Sequence, residues 1–292
     1  MNAIIYVFSG SGNTMRIATL YKEEFEKNGV ETTLYPVRSD MTDLPDPEVF
    51  DYVGFAYPIH AFNAPAIMLD LAKRIKAVSH KEFFILKASG EPLKINNASS
   101  LRFVGILKKK GYVLKSEYHY IMPYNMIFRH TDREAVRMWE TAKSLCSIEA
   151  REVLRGAEHK LPRVFLGRFI AWLLRIEQIA MRINGRFFRV KAGKCILCRK
   201  CEKACPVKNI HIDEKGKFHF GKNCIMCTRC SFHCPTDAFR IGILNAWRVN
   251  GAYPLDGVGI SAPEPRHRHG WYCKKAYARY YSKAKEKIAN NR

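Results

Sequence analysis

The feature that most restricts the fold of this chain is a duplicated run of cysteines. Cys195-x2-Cys198-x2-Cys201-x3-Cys205-Pro206 recurs 29 residues later as Cys224-x2-Cys227-x2-Cys230-x3-Cys234-Pro235. Apolar neighbours repeat with it: Ile196 with Ile225, Ile210 with Phe239 and Ile212 with Ile241. The chain is 292 residues long and opens on Met1–Ser9, with no basic leader, so its ten cysteines do not read as the staples of a small exported domain. The expected setting is a reducing cytoplasm, where such thiols serve as metal ligands. Two structural zinc sites would also use four thiolates each, but zinc pairs Cys-x-x-Cys hooks, and two complete four-cysteine runs ending in Pro suit cubane clusters better. Three closely spaced thiolates wrap three irons. The short turn does not easily reach the fourth, which therefore comes from the other copy.

This pattern resembles the two-cluster bacterial ferredoxins over residues 193–245. The resemblance implies a small α+β domain in which Cys195, Cys198, Cys201 and Cys234 hold one 4Fe-4S cluster and Cys224, Cys227, Cys230 and Cys205 hold the other. Cys146, on a helical stretch, is expected to be a small core residue, and Cys273, in the tail, falls outside the repeated pattern.

The first half reads differently. Strand-like runs at 3–8, 30–36, 52–57, 83–87 and 113–121 alternate with helical spacing at 14–27, 64–77, 99–110 and 131–155. That alternation predicts a doubly wound parallel sheet covered on both faces. Between the first strand and first helix lies Phe8-Ser9-Gly10-Ser11-Gly12-Asn13-Thr14. Hydroxyls, permissive glycines and a helix N-terminus together make a phosphate cradle. The loop lacks the Gly-Lys-Ser/Thr of a Walker loop and is not Gly-x-Gly-x-x-Gly; a simple helix cap is the plainer reading of the same residues. It resembles the flavodoxin loop that binds the phosphate of FMN, with serines where threonines are common. The resemblance, over roughly residues 1–150, implies strand order 2-1-3-4-5 and a ligand at the carboxyl ends of the strands. Under it, Ser9, Gly10, Ser11, Gly12, Asn13 and Thr14 would hold the phosphate. Tyr57, Pro58, Ile59, His60, Phe62 and Asn63 would offer apolar surface to the ring, and Ala88, Ser89 and Gly90 would meet its polar edge. A flavodoxin-like domain that has lost its flavin is the alternative.

The expected organisation is thus a flavodoxin-like domain at 1–155, an amphipathic helical connector at 156–192, a two-cluster ferredoxin domain at 193–245, and a basic, aromatic tail at 246–292. Together these resemble fusions of a flavodoxin-like domain to a two-cluster ferredoxin, and the resemblance implies electron transfer. Charge separates the halves: residues 1–150 carry 19 basic and 17 acidic side chains, residues 151–292 carry 30 and 10. Arg199, Lys200, Lys203, Lys208 and Arg229 lie among the cysteines, so an acidic redox protein (a ferredoxin, a flavodoxin or a reductase) is the expected partner. A flavin-dependent reductase of a small molecule is the alternative, with His60 as a proton source. In the connector, Arg168, Arg175 and Arg182 recur every seven residues, opposite Phe169, Trp172, Leu173, Ile176 and Ile179. Packing of that apolar face between the domains is preferred over contact of 162–186 with a membrane surface. Nucleic-acid binding through the tail (Trp271, Tyr272, Tyr277, Tyr280, Tyr281) is disfavoured, because no recognition module accompanies it.

Overall fold

In the computed structural model, residues 1–162, 164–257 and 273–291 are described; Trp271 and Tyr272 of the tail lie outside them. Five parallel strands, β1 (Asn2–Val7), β2 (Glu31–Pro36), β3 (Tyr52–Pro58), β4 (Lys81–Ser89) and β5 (Tyr112–Ile121), form one sheet in the order β2-β1-β3-β4-β5. Both faces are covered, as all-parallel pairing requires. The helices α1 (Asn13–Lys27) and α4 (Asp132–Leu154) pack on one face, α2 (Ala66–Arg74) and α3 (Leu101–Lys108) on the other. The start of α4 is set by a capping box: Glu134 N donates to Thr131 Oγ1 (3.1 Å) and Thr131 N to Glu134 Oε2 (3.3 Å), worth about 1 kcal/mol. This is a flavodoxin-like doubly wound sheet.

The connector holds two short helices, α5 (Gly167–Leu173) and α6 (Arg175–Gly185), joined at Leu174. Its apolar face does not pack between the domains: Phe169, Trp172, Leu173, Ile176 and Ile179 are each more than half exposed. The inward face is built instead from Gly167, Ala171, Asn184 and Gly185. Close approach explains the choice. A Cβ on Gly167 would stand 3.1 Å from Ala98 Cβ, and one on Gly185 only 2.2 Å from Cys224 Cβ, so nothing larger than glycine fits readily at these two positions.

The cysteine-rich segment follows as β6 (Phe188–Val190), α7 (Lys200–Ala204), β7 (Ile210–Ile212), β8 (Phe218–Phe220), α8 (Arg229–Phe232) and β9 (Phe239–Ile241). Two antiparallel pairs, β6 with β9 and β7 with β8, bracket the motifs. The sequence repeat is also a backbone repeat: Leu197, Arg199 and Lys208 are left-handed, as are Met226, Thr228 and Asp237 at the equivalent positions. Left-handed backbone is costly for any residue with a side chain, most of all for β-branched Thr228.

Helix α9 (Lys274–Ala289) of the tail packs on α4. Tyr277 is buried there, Tyr280 Oη accepts from Ile121 N (3.4 Å), and the Arg137 guanidinium lies 3.8 Å from the Tyr281 ring centre. These aromatic rings serve the fold of the first half. Cys146 and Cys273 are both buried, Cys273 against Ile121, Met138 and Tyr277.

One hydrophobic core runs through both halves. Ile4, Tyr6, Phe55 and Phe103 under the sheet belong to the same buried cluster as Val207, Ile210, Ile225, Met226, Phe239 and Ile241. The two domains therefore share packing.

Candidate functional site

A cavity of about 390 Å³ opens at the carboxyl ends of the strands, where ligands of open α/β sheets bind, and is of the size small-molecule sites take. Its floor is the β1–α1 loop. Gly12 caps α1 in a left-handed conformation (φ 108°) with no side chain bonded to the helix's first turn, and no acidic residue lies in that turn. The free N–H groups of α1 are thus left for an anion. Ser9 Oγ accepts from Gly12 N (3.2 Å) and so shapes the loop, while Ser11, Asn13 and Thr14 line the cavity. Asn13 Nδ2 donates to Pro123 O (2.8 Å), tying the loop to the chain that leaves β5.

The loop after β3 forms the second wall. His60 and Asn63 exchange both backbone bonds (2.9 Å each) across a turn whose central residues, Ala61 and Phe62, are left-handed. Such a turn favours Asn and Gly. Here it holds Phe62, with Pro58, Ile59 and His60, at the cavity wall. Burial lowers the His60 pKa to about 4, which favours a neutral ring at pH 7. Tyr57 does not reach the cavity. It is the last inward position of β3 and stacks edge-on to Phe103 (5.4 Å) in the core. Asn63 is buried, its amide donating to Ala61 O (2.8 Å) and Ala171 O (2.9 Å). Gly12 also stands back from the cavity lining.

Ala88, Ser89 and Gly90 line the third side. Ser89 Oγ is bonded to His119 Nε2 (2.8 Å) and donates to Glu91 O (2.7 Å), within a buried network. Below it Lys87 Nζ pairs with Glu117 (2.7 Å) and donates to Asn96 O (3.0 Å). Burial, with Lys87 nearby, lowers the His119 pKa to about 3. Gly90 is required by contact: a Cβ there would stand 2.4 Å from the Tyr124 ring.

The remaining walls were not foreseen. Glu91, Leu93, Asn96 and residues 122–127 contribute, as do Glu177 and Met181 from α6, Met226 from the second cysteine motif, and Trp247 beyond β9. Burial raises the Glu91 pKa, against the Tyr124 hydroxyl that donates to it, and burial alone raises that of Glu177. No spacing signal marks these residues, because five separated stretches of chain supply them.

Cys205, Cys224, Cys227 and Cys230 surround one narrow hollow, and Cys195, Cys198, Cys201 and Cys234 line a second, wider one together with Cys230. Backbone N–H groups already point at sulfur: Asn209 N to Cys205 Sγ (3.2 Å) and, at the equivalent place in the repeat, Ala238 N to Cys234 Sγ (3.3 Å). Burial pushes the Cys224 thiol up to about 11 and Cys227 up to about 12, so a bound iron core is what would hold them as thiolates. The donor set fits two 4Fe-4S clusters.

The inner quartet abuts the phosphate loop. A Cβ on Gly10 would stand 2.6 Å from Cys227 O. Arg229 donates to Ser9 O (2.9 Å), Asn125 Nδ2 to Cys227 O (3.4 Å) and Thr228 Oγ1 to Asn125 O (3.3 Å). Arg229 is therefore a strut between domains, and Lys208, paired with Asp40 (2.9 Å), is another. Ser39 N donates to Pro206 O (2.8 Å) alongside. Lys200 and Lys203 are exposed.

Fold and site together define a flavodoxin-like domain fused to a two-cluster iron–sulfur domain. Residues 188–251 match the family of 4Fe-4S dicluster domains, a stretch that contains all eight cysteines of the repeat. The first half is similar in fold to a flavodoxin of Streptococcus pneumoniae TIGR4 (16% identity, 53% of this chain and 99% of that one, TM-score 0.40). It is also similar to oxidised flavodoxin 1 of Bacillus cereus (13%, 53% and 98%, TM-score 0.38) and to an NAD(P)H:quinone oxidoreductase of Methanothermobacter marburgensis (14%, 56% and 99%, TM-score 0.33). No curated protein matches the chain. The iron–sulfur domain makes this a redox protein of the electron-transfer class. Among the described residues no helix is long and apolar enough to cross a membrane.

Proposed function

We propose that this chain passes electrons between two 4Fe-4S clusters and a bound FMN, exchanging them with an acidic redox protein: a ferredoxin, a flavodoxin or a reductase. The observation that carries this reading is the direct contact of Gly10, in the phosphate loop, with Cys227, in the inner quartet. When bound, clusters supply one-electron steps and the flavin supplies one- or two-electron chemistry.

The chain's own residues set the direction of access. Cys205, Cys224 and Cys227 are buried between the domains, whereas Cys198 is exposed. Around Cys198 lie Ile196 and Leu197, both more than half exposed, with Lys200 and Lys203 beside them. An apolar centre rimmed by lysines suits brief docking of an acidic protein, with the lysines raising the encounter rate. At the other end, Met226 belongs both to the inner motif and to the cavity wall, and Asn184 Nδ2 approaches its sulfur (3.3 Å).

The test is anaerobic rapid mixing of the fully loaded protein. After reduction of the iron–sulfur absorbance, flavin absorbance should bleach at a rate independent of protein concentration. A rate proportional to concentration would mean exchange between molecules and would overturn the internal path. A second reading, reduction of a small molecule at the cavity, draws support from Glu91 and Glu177, two carboxyls that line it and whose pKa values burial raises. Turnover with a small acceptor and no protein acceptor would favour it.

A further inference from the structure

The connector is amphipathic in the unusual sense: its small and polar residues, with Met181, face the protein and most of its large apolar ones face out. Ala171 O and Ala64 O are bonded by Asn63 and Gln178 (2.9 and 3.2 Å), and Asn184 Nδ2 donates to Ile241 O (2.9 Å), which fixes the inner face. Outside, Phe165, Phe169, Trp172, Ile176, Ile179 and Ile183 are 89, 55, 55, 66, 59 and 50% exposed. A contiguous apolar face of this size marks a binding surface.

The charge around it identifies the occupant. Residues 160–200 hold eleven Lys or Arg and a single acidic residue, Glu177, and Glu177 is turned to the cavity. Arg168, Arg182, Arg186 and Arg189 are exposed beside the apolar side chains. A second copy of the chain would set these arginines against their own equivalents across a two-fold axis. Trp, Phe and Ile on one face, flanked by arginines, match the interface of an anionic bilayer. No described helix can span a membrane, so the attachment is peripheral. From this we infer that α5 and α6 dock the protein on an anionic phospholipid surface, their apolar side chains below the headgroups and their arginines among the phosphates. Because the inner face of α6 lines the cavity through Glu177 and Met181, the docked protein holds its redox site within about one helix diameter, ~10 Å, of the lipid.

The experiment is co-sedimentation of the loaded protein with phosphatidylcholine vesicles, with and without a third of phosphatidylserine. Binding is expected to the anionic vesicles only. Arg182→Gln with Arg186→Gln should weaken it roughly 25-fold, from ~1 kcal/mol per basic residue at the surface. Trp172→Ser with Ile176→Ser keeps every charge and should weaken it roughly tenfold or more. Lys283→Gln with Lys285→Gln, on α9 across the sheet, should leave it nearly unchanged. Iron content confirms that each variant is folded. If the apolar pair binds as well as the parent, the attraction is that of a basic protein for any anionic surface, and the inference fails. Failure to bind anionic vesicles, equal binding to both kinds, or a stable dimer that loses Trp172 exposure would overturn it as well.

Discussion

Gly185→Ala should cost this protein one of its two clusters. In a helix the change ordinarily stabilises by about 1 kcal/mol, because Ala outranks Gly in propensity. Here the new Cβ would lie 2.2 Å from Cys224 Cβ and 2.9 Å from its sulfur, where ordinary contact begins at 3.4 Å. The two chains must separate by about 1.2 Å, several times the ~0.2 Å tolerance of a metal–ligand distance. Overpacking of this kind costs about 1–3 kcal/mol, so the clash outweighs the propensity gain. The strain falls on Cys224, one of the four thiolates assigned to the inner cluster. Iron should drop from about eight to about four per chain, as it should in Cys205→Ser, while the outer set keeps its share. Gly105→Ala supplies the contrast. Gly105 is exposed in α3 with nothing within 4 Å of its Cβ position, so alanine there should raise stability by about 1 kcal/mol and leave iron untouched. Iron and sulfide assays with spectra of the reduced protein decide the matter. Eight irons and unaltered spectra in Gly185→Ala would refute the placement of α6 against Cys224.

Ser11→Asp sets a carboxylate at the mouth of the α1 N-terminus. The helix gains a favourable charge while the flavin phosphate meets a like one, so FMN affinity should fall tenfold or more, measured by fluorescence titration, with iron unchanged. Lys200→Glu with Lys203→Glu should slow reduction by an acidic ferredoxin severalfold, chiefly in the association rate, and should flatten its salt dependence; equal stopped-flow rates would place the docking surface elsewhere. His60 and His119 are held neutral in the fold, with pKa values of about 4 and about 3 against 6.5 unperturbed. The unfolded chain therefore binds more protons below pH 6.5, and their contribution is full above that value and lost as pH falls toward 4 and then 3. Denaturant midpoints should decline through that window, and His60→Gln should blunt the upper part of the decline.

The strands and helices of the first half were legible because their signals are local. Period-two and period-3.6 patterns placed β1 to β5 and α1 to α4 within a few residues of where they lie, and placed Ser9–Thr14 at the turn from β1 into α1. The cysteine repeat was more legible still, since ligand spacing is a property of the chain rather than of its packing. It recurs in the structure as left-handed backbone at Leu197 and Met226, Arg199 and Thr228, Lys208 and Asp237. Other features depended on what each residue meets across space. Tyr57 and Asn63 were expected at the ligand, yet the parity of β3 turns Tyr57 into the core, and Asn63 is taken up by Ala171 of a connector more than a hundred residues away. Trp247, Met226, Met181 and Glu177 line the cavity only because the second domain folds back over the first. The connector's periodicity showed that it had an apolar face but not which way that face would point. The close approach of Gly167 to Ala98 and of Gly185 to Cys224 decided that, seating these two glycines against the protein while Phe169, Trp172, Leu173, Ile176 and Ile179 face outward.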